Sequence, residues 1–327
     1  MRRNIKKIFM MAGVVAMIAG LTGCGTKKSA GKTTEINVGY FNNVTHAQAL
    51  DKAFDGKAAV KWTSFNAGPS EVEALFSGNI DIGYIGPVPA ISANVKSKGD
   101  VSLISGASQA GAELVKAPGS DIKSAKDLDG KTVAIPQIGN TQHLCLLKLL
   151  SDNGLKTVEE GGTVTVTAVE NADVQNMMDQ GNIDAALVPE PWGSTLVKNG
   201  AEIVLDYNQV YMEGNYPVAV VVGRNEFLKE HPDLVKEFLR QHEEATDEIN
   251  QNVDKAAEII NNEINAATGK SLSADILKTA FQKLTISTDV NKDAVDDFAA
   301  ISLDQKFIDQ KPTDDFISVE ETNTSAK

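Results

Sequence analysis

The same short pattern occurs twice in the chain, 103 residues apart, and this repeat restricts the fold more than any other feature. Gly-Asn-Ile-Asp stands at residues 78–81 and again at residues 181–184, each time after an amphipathic stretch that opens with Asn-Ala. An apolar run and a proline-containing loop follow each copy. This order predicts a helix, a glycine stop, a turn, a buried strand and a loop that begins another helix. Four common residues alone carry little weight, but the flanking segments match in order and length, so we predict two paired α/β lobes.

Two units of this kind place their loops across one cleft, because ligands of α/β folds bind at the carboxyl ends of strands. The clearest break in the chain is Ala-Pro-Gly-Ser-Asp at residues 117–121. We therefore assign residues 35–116 to the first part of lobe 1, residues 117–217 to lobe 2 and residues 218–327 to the second part of lobe 1. The last segment is predicted to be largely helical, with a frayed end beyond Pro312.

Residues 1–23 have the features of a signal peptide. Four basic residues precede an uncharged apolar run of 14 residues, which is too short for an ordinary membrane-spanning helix. The run ends in Leu-Thr-Gly-Cys, which resembles the bacterial lipobox, so Cys24 is the predicted lipidation site. A soluble secreted protein with an incidental Cys24 is the alternative. Residues 24–34 predict a flexible tether, so we expect an exported protein that is lipid-anchored at the outer face of the cytoplasmic membrane.

The charge balance argues against several classes of partner. The signal peptide carries four of the 31 basic residues and none of the 44 acidic ones, so the mature chain has a net charge of −17. Such a chain is a poor partner for nucleic acid or for an anionic membrane surface. A small anion is still a suitable ligand, because local hydrogen-bond donors decide its binding.

The sequence contains no motif typical of an enzyme or a metal site. Cys145 is the single cysteine besides Cys24, and its apolar helical surroundings indicate a buried space-filling residue. The four histidines lack metal-ligand spacing, and there is no Gly-x-Ser-x-Gly, P-loop or Gly-x-Gly-x-x-Gly pattern. We therefore expect no catalytic residue, no metal and no cofactor.

Three loops at predicted strand-to-helix junctions are candidate ligand contacts. Helix N-termini leave backbone N–H groups without partners and favour negative charge nearby. The candidate residues in these loops are Asn43, Thr45, His46, Gly86, Pro87, Val88, Asn140, Thr141 and Gln142. Helix capping is the alternative explanation for Thr45 and for Thr141.

Glu190 and Trp192 add a carboxylate and an aromatic ring at the end of the second repeated strand. Trp192 either flanks the ligand or fills the interface between the lobes. Glu190 either binds a ligand amine or acts as a carboxylate in the first turn of a helix, and the second interpretation is favoured. Both residues are included among the candidate ligand contacts.

Several of these segments together resemble one known family. They are the lipobox, the loop with His46, Gly-Pro-Val-Pro-Ala at residues 86–90, the segment at residues 131–142, and Asp-Ala-Ala-Leu-Val-Pro-Glu-Pro-Trp at residues 184–192. Over about residues 35–305 the chain resembles the nitrate/sulfonate/taurine-type solute-binding proteins of ABC importers.

The resemblance implies an α/β, two-lobed, type II periplasmic-binding-protein fold with two crossover strands as the hinge. It implies a ligand between the lobes, a monomeric state, and a membrane ABC permease with its ATPase as partners. The candidate loops contain no lysine or arginine, which favours a singly charged head group such as a sulfonate over a multiply charged ligand.

The leading interpretation is a lipid-anchored receptor that captures a small organic anion by lobe closure and delivers it to the permease. An enzyme of the same fold, resembling thiamin-pyrimidine synthases, is one alternative, which the export signal disfavours. A receptor for nitrate, bicarbonate or a thiamin-pyrimidine precursor is another. A sensor ectodomain is disfavoured because no membrane-spanning or signalling segment follows.

Overall fold

The computed structural model describes residues 35–51 and 59–318. The predicted signal peptide, Cys24 and the tether lie outside the described residues. Within the described ranges, no helix combines the length and the apolar content that crossing a bilayer requires.

The described chain alternates strands and helices in its first two thirds and is mainly helical thereafter. The strands are β1 (Glu35–Phe41), β2 (Ala59–Phe65), β3 (Ile82–Ile85), β4 (Val101–Ala110), β5 (Ala112–Lys116), β6 (Thr132–Ile135), β7 (Thr165–Ala168), β8 (Ala185–Pro189), β9 (Glu202–Leu205), β10 (Pro217–Arg224) and β11 (Leu284–Ile286). The α-helices are α1 (Ala47–Leu50), α2 (Gly68–Phe76), α3 (Pro87–Lys96), α4 (Thr141–Asp152), α5 (Val174–Asp179), α6 (Trp192–Lys198), α7 (Tyr207–Val210), α8 (Asn225–Glu230), α9 (Pro232–Gln251), α10 (Val253–Thr268), α11 (Ala274–Gln282) and α12 (Lys292–Asp304).

The strands form two sheets, which confirms the two-lobed α/β prediction. The order β2-β1-β3-β10-β4-β11 in the first sheet is matched by β7-β6-β8-β5-β9 in the second. In each sheet the first three strands are parallel and the fourth runs antiparallel to them. The strands β3, β5 and β8 are buried along their whole length, as expected for sheets covered on both faces.

The chain crosses between the two sheets twice. It passes from β4 to β5 through Ala110 and Gly111, both with positive φ, and returns between β9 and β10. The strand β5 pairs with β8 and β9 in the second sheet, although it lies before the break at residues 117–121. The composition break therefore follows the crossing by one strand, because β5 contains no Pro or Gly that would mark its change of sheet.

The repeated Gly-Asn-Ile-Asp segments perform the same structural task in both lobes. The Asp81 carboxylate accepts from the backbone N–H of Asn37 at 3.0 Å, and the Asp184 carboxylate accepts from that of Thr132 at 2.7 Å. Each aspartate thus ties the start of one parallel strand to its neighbour. The glycines of the two copies have φ values of 69° and 71°, a conformation that glycine adopts without strain at a helix end.

The C-terminal segment packs against the first sheet. Ser273 caps α11, and its hydroxyl accepts from the Ile276 N–H at 3.4 Å. The prediction of a frayed end beyond Pro312 was wrong for the described part: Phe316 is 2% exposed, and the Ser318 N–H donates to the Leu103 carbonyl at 2.9 Å. The described end of the chain is ordered because an apolar side chain packs against a strand that is distant in sequence. No local sequence pattern indicates such a contact.

Candidate functional site

A cavity lies where the carboxyl ends of β1, β2 and β3 face those of β6, β7 and β8. From the first lobe it is lined by Phe41, Asn43, Thr45, His46, Asn66, Ala67, Gly68, Gly86, Pro89 and Val218. From the second lobe it is lined by Pro136, Asn140, Thr141, Gln142, Asn171 and Pro189. The centre of a water molecule can reach only about 20 Å³ of this space, which is room for about one water. The lobes therefore stand close together around the cavity.

Most of the residues that the sequence analysis proposed as ligand contacts lie together at this cavity. Seven of them line the cavity: Asn43, Thr45, His46, Gly86, Asn140, Thr141 and Gln142. Pro87, Val88, Glu190 and Trp192 lie outside the lining. The three loops that meet here come from both lobes, as strand ends at equivalent places in two facing units require.

Asn66 and Asn171 line the cavity although neither was nominated. Both are the asparagine of the Asn-Ala pair that opens the two repeated segments, so the signal was present in the repeat. The Asn66 side chain also donates from Nδ2 to Glu170 Oε1 of the other lobe at 2.7 Å. The two equivalent asparagines therefore lie opposite each other at the cleft.

Three helices of at least nine residues direct their N-termini at the cavity, namely α2, α3 and α4. Helix N-termini carry partial positive charge and unpaired N–H groups. Prolines occupy the first turns of α2 and α3 and supply no N–H. The first turn of α4, with Thr141 and Gln142, therefore offers the larger share of backbone donors to an anion.

Asn140, rather than Thr141, caps α4. Its Oδ1 accepts from the His143 backbone N–H at 2.8 Å, so Thr141 is the first helical residue. Thr45 likewise lies inside a 3₁₀ turn, and its side chain forms no cap. Capping therefore explains neither threonine, and both hydroxyl groups are left for other contacts at the cavity.

Thr141 reaches across the cleft to the first lobe. Its Oγ1 accepts from the Val88 backbone N–H at 3.4 Å. A Cβ atom at Gly86 would lie 2.4 Å from the same oxygen, so a larger residue there would force the Thr141 side chain or the loop to shift. Gly86 thus permits the close approach of the two lobes at this point.

His46 enters the site as a neutral hydrogen-bond donor. Its Nδ1 accepts from the Phe41 backbone N–H at 2.8 Å, and complete burial lowers the pKa of the imidazole to about 3. The neutral ring therefore carries its proton on Nε2. His46 cannot supply a positive charge to a ligand, nor a general base at its ordinary pKa.

The described residues that line the cavity include no Asp, Glu, Lys or Arg. A ligand cation would find no carboxylate there, and a multiply charged anion would find no compensating cation. Hydroxyl, amide and imidazole groups together with helix N-termini suit one negative charge. The arrangement therefore suits a singly charged anion better than a cation or a multiply charged anion.

Glu190 belongs to a separate buried charge cluster. Its carboxylate accepts from the Ser194 hydroxyl at 2.9 Å and lies 3.1 Å from the Lys283 ammonium. The same ammonium donates to Glu113 Oε2 at 2.8 Å. Burial, with the nearby Glu190, raises the pKa of Glu113 to about 7, and burial also raises the pKa of Glu190. These three groups join the region before β11 to the second lobe.

Trp192 lies in the interface between the lobes. It is 5% exposed, and its Nε1–H donates to Asn43 Oδ1 at 2.7 Å. Asn43 lines the cavity, whereas Trp192 does not. The hydrogen bond from the indole therefore fixes the orientation of a cavity side chain.

Nucleophilic or metal chemistry finds little support in the described part of the chain. Cys145 is buried in α4, and burial raises the pKa of its thiol to about 12, so the reactive thiolate is scarce at neutral pH. Within residues 35–51 and 59–318, no group of three or more His, Cys, Asp or Glu side chains is arranged to hold a metal ion.

Comparison with known proteins gives the family. Residues 29–262 match the NMT1-like family, and the chain belongs to it. The chain is 33% identical over 185 residues to the taurine-binding periplasmic protein of Escherichia coli K12, a match that covers 56% of this chain and 55% of that protein. It is 32% identical over 174 residues to a putative aliphatic sulfonates-binding protein of the same organism, covering 53% of each. The chain thus spans about half the length of these relatives.

A solved structure shows the same fold. The alkanesulfonate-binding protein SsuA from Xanthomonas axonopodis pv. citri, bound to MOPS, superposes with a TM-score of 0.70. The match covers 88% of this chain and 98% of that one at 19% sequence identity. At this identity the likeness establishes the two-lobed fold.

Proposed function

We propose that this protein is the extracytoplasmic solute-binding component of an ABC importer and captures a small organic anion of the sulfonate type. The observation that carries the proposal is the convergence of loops from both lobes on one cavity with uncharged donors and three helix N-termini. The named relatives, which are taurine-binding and aliphatic sulfonates-binding proteins, support the same ligand class.

Capture works by closure of the lobes on the ligand. The cavity has room for about one water molecule, so a sulfonate enters only when the lobes separate. Thr141 and the first turn of α4 then receive the anionic head on one side, while the loop at Gly86 and the turn with Thr45 and His46 receive it on the other. No step of this cycle alters the ligand, and we propose a protein without catalytic activity.

The proposal includes export and anchoring. The signal peptide of residues 1–23, lipidation at Cys24 and the tether keep the protein at the outer face of the cytoplasmic membrane, beside a permease with its ATPase, as a monomer. We place the lobe crossings at Ala110–Ala112 and between β9 and β10. A Cys24→Ala variant tests the anchor: it should leave the membrane fraction or persist as unprocessed precursor, because the tether itself has no affinity for lipid.

Thermal unfolding and solution scattering with a ligand panel test the function. The panel contains methanesulfonate, taurine, nitrate, bicarbonate and a thiamin-pyrimidine precursor, with dimethyl sulfone as an uncharged control of similar size. A sulfonate should stabilise the protein by about 2.7 kcal/mol at 100 times its dissociation constant and reduce the radius of gyration. Fluorescence of Trp192 should change on closure, since the indole lies between the lobes.

Other outcomes contradict the proposal in different ways. Stabilisation by nitrate or bicarbonate alone makes the protein a receptor for another anion. Equal stabilisation by dimethyl sulfone shows that negative charge is not what the site recognises. Chemical conversion of a panel compound, detected by mass spectrometry, would show that the protein is an enzyme.

A further inference from the structure

One short turn of lobe 2 is contacted by lobe 1 from two sides. The turn, residues 170–173, follows β7 and opens the second repeated segment. The Glu170 carboxylate accepts from Asn66 Nδ2 at 2.7 Å. Two residues later, the Ala172 carbonyl accepts from the Lys270 ammonium. The turn is therefore bonded across the cleft on both sides of its second residue.

That second residue, Asn171, lines the cavity. Its Oδ1 atom is buried and has no hydrogen-bond partner among the described residues. The Asn171 carboxamide oxygen therefore does not anchor the turn to the rest of the protein. The bonds at Glu170 and Ala172 fix the backbone before and after Asn171, so the position of this cavity residue is set from lobe 1.

The loop that carries Lys270 is held in place by its own hydrogen bonds. The helix α10 ends at Gly269, whose φ of 70° suits a helix C-terminus. The Lys270 backbone N–H donates to Thr268 Oγ1 at 3.2 Å. The Leu272 N–H donates to Asn261 Oδ1 at 2.8 Å. These bonds preorganise the backbone from which the lysine side chain extends to lobe 2.

The C-terminal helices fasten this loop to lobe 1. Ile260 of α10 and Leu277 of α11 are buried in one apolar cluster with Val44, which belongs to the first part of lobe 1. Close-packed side chains of this kind move together. When the lobes separate, Lys270 therefore moves with lobe 1 and leaves the turn at residues 170–173, so the contact exists only in the closed form.

We propose that Asn66 and Lys270 form a clasp on the turn at residues 170–173 when the lobes close, and that this clasp holds Asn171 at the cavity and slows ligand release. The inference rests on the proposed function and adds positioning residues to it. It gives the C-terminal helices a part in binding, although none of their described residues lines the cavity.

The clasp does not act by attracting the ligand. Lys270 is exposed, and the turn that it contacts carries two exposed carboxylates, Glu170 and Asp173. The summed charge of these three groups is negative, so they do not draw an anion from solution. A contact that forms only after closure changes the rate of release, while the rate of association is set by the open form.

Stopped-flow kinetics with methanesulfonate, followed by tryptophan fluorescence, tests the clasp. Lys270→Met should raise the dissociation rate constant about fivefold, which corresponds to one hydrogen bond, and leave the association rate constant unchanged. Lys270→Arg keeps a charged donor and should release the ligand at the wild-type rate. Lys278→Met is the matched control, because Lys278 is an exposed lysine of α11 that pairs with Asp254 inside lobe 1, and its rate constants should equal those of the wild type.

Glu170 tests the other half of the clasp. Glu170→Gln removes the charge but keeps an oxygen that accepts from Asn66, so the dissociation rate constant should stay at the wild-type value. Glu170→Ala removes the acceptor and should raise that constant about fivefold. Asn66 itself is kept in both variants because it lines the cavity.

Chemical cross-linking tests the contact without a ligand. A short bis-maleimide should join the two introduced cysteines of a Glu170→Cys/Lys270→Cys variant quickly. It should join those of a Glu170→Cys/Lys278→Cys variant much more slowly. Selective cross-linking in a protein that binds no anion of the panel would reject the proposed function and leave the clasp in place. Equal cross-linking in the two variants would overturn the clasp.

The kinetic results can also overturn the inference. An unchanged dissociation rate constant in Lys270→Met would remove Lys270 from the closed form. A lowered association rate constant with normal release would show electrostatic steering in place of a clasp. Equally fast release from Lys278→Met would show a general effect of losing a surface lysine.

Discussion

The two lobes meet at the cavity and again beside the first crossing, and the two contacts differ in charge. The side chains that line the cavity are uncharged, and a carboxylate takes part only at its exposed edge, where Asn66 Nδ2 donates to Glu170 Oε1 of the other lobe at 2.7 Å. The Trp192 Nε1–H donates to Asn43 Oδ1 at 2.7 Å, and the Val88 N–H donates to Thr141 Oγ1 at 3.4 Å. These few neutral hydrogen bonds are each worth about 1 kcal/mol net, so the lobes can separate here at modest cost.

Beside the crossing the contact is ionic and buried. The Lys283 ammonium lies 2.8 Å from Glu113 and 3.1 Å from Glu190, and neither carboxyl residue is exposed to solvent. Lys283 directly precedes β11, whose Leu284 pairs with Ala110 at the end of β4. The cluster therefore sits close to the point about which the lobes would turn, where closure moves atoms least.

The comparison shows where this protein places buried charge. A buried charge is costly unless a partner compensates it. Beside the crossing the protein supplies both signs itself, while at the cavity it supplies neutral donors and helix N-termini and leaves the full charge to the ligand. Variants in the cluster should therefore change stability, and variants at the cavity should change affinity.

The largest effect is expected from Lys283→Met. The change leaves Glu113 and Glu190 buried against each other without a cation, and loss of one partner of a buried ion pair costs about 3–5 kcal/mol. Chemical denaturation at neutral pH measures it. The matched control is Lys278→Met, because Lys278 pairs with Asp254 at 3.0 Å on the surface with half or more of each side chain exposed, and that loss should be about 0–1 kcal/mol. Equal losses in the two variants would contradict the importance of burial.

Thr141→Val should separate affinity from stability. A hydrogen bond to a charged group contributes about 1.5–3 kcal/mol, so sulfonate affinity should fall by roughly 10- to 100-fold. The melting temperature should change little, because Asn140 and not Thr141 caps α4. Asn140→Ala is the comparison variant for the cap and should lose about 1 kcal/mol of stability. A Thr141→Val protein with normal affinity and a lowered melting temperature would remove Thr141 from the site.

The fold could be predicted because its main signals are local and repeated. Apolar runs, glycine stops and proline starts mark strands and helices within windows of about ten residues, and their repetition indicates a second lobe. The same locality explains what was missed. The strand β5 changes sheet without a break in composition, and Phe316 is buried only through its contact with a distant part of the chain.

The site was predictable to the extent that it lies at strand ends. Seven of the residues proposed as ligand contacts line the cavity. Asn66 and Asn171 were also predictable, because the repeated Asn-Ala pair marks a loop at the same place in both lobes. Glu190 illustrates the limit. Its neighbours in sequence suggest a loop carboxylate, but its partner Lys283 is 93 residues away, and nothing in either segment points to the other.

The last prediction concerns the pH dependence of stability, which Glu113 should control. Burial and the nearby Glu190 raise the pKa of this carboxyl group from 4.5 to about 7 in the folded protein. The folded state therefore holds the proton more tightly than the unfolded state does. The stability that Glu113 contributes is present below pH 4.5 and is lost as the pH rises through 7.

Glu113→Gln removes this titration while keeping the shape of the side chain, and Lys283 keeps Glu190 as its partner. Between pH 4.5 and pH 8 the wild type should lose stability relative to the variant, by an amount on the order of 2 kcal/mol. Urea denaturation across this range measures the difference. Sulfonate affinity at fixed pH should be the same in both proteins, because Glu113 lies outside the cavity lining. Parallel stability curves would show that the proton is shared elsewhere in the cluster, and a changed affinity would show that the cluster and the cavity are coupled through the crossing.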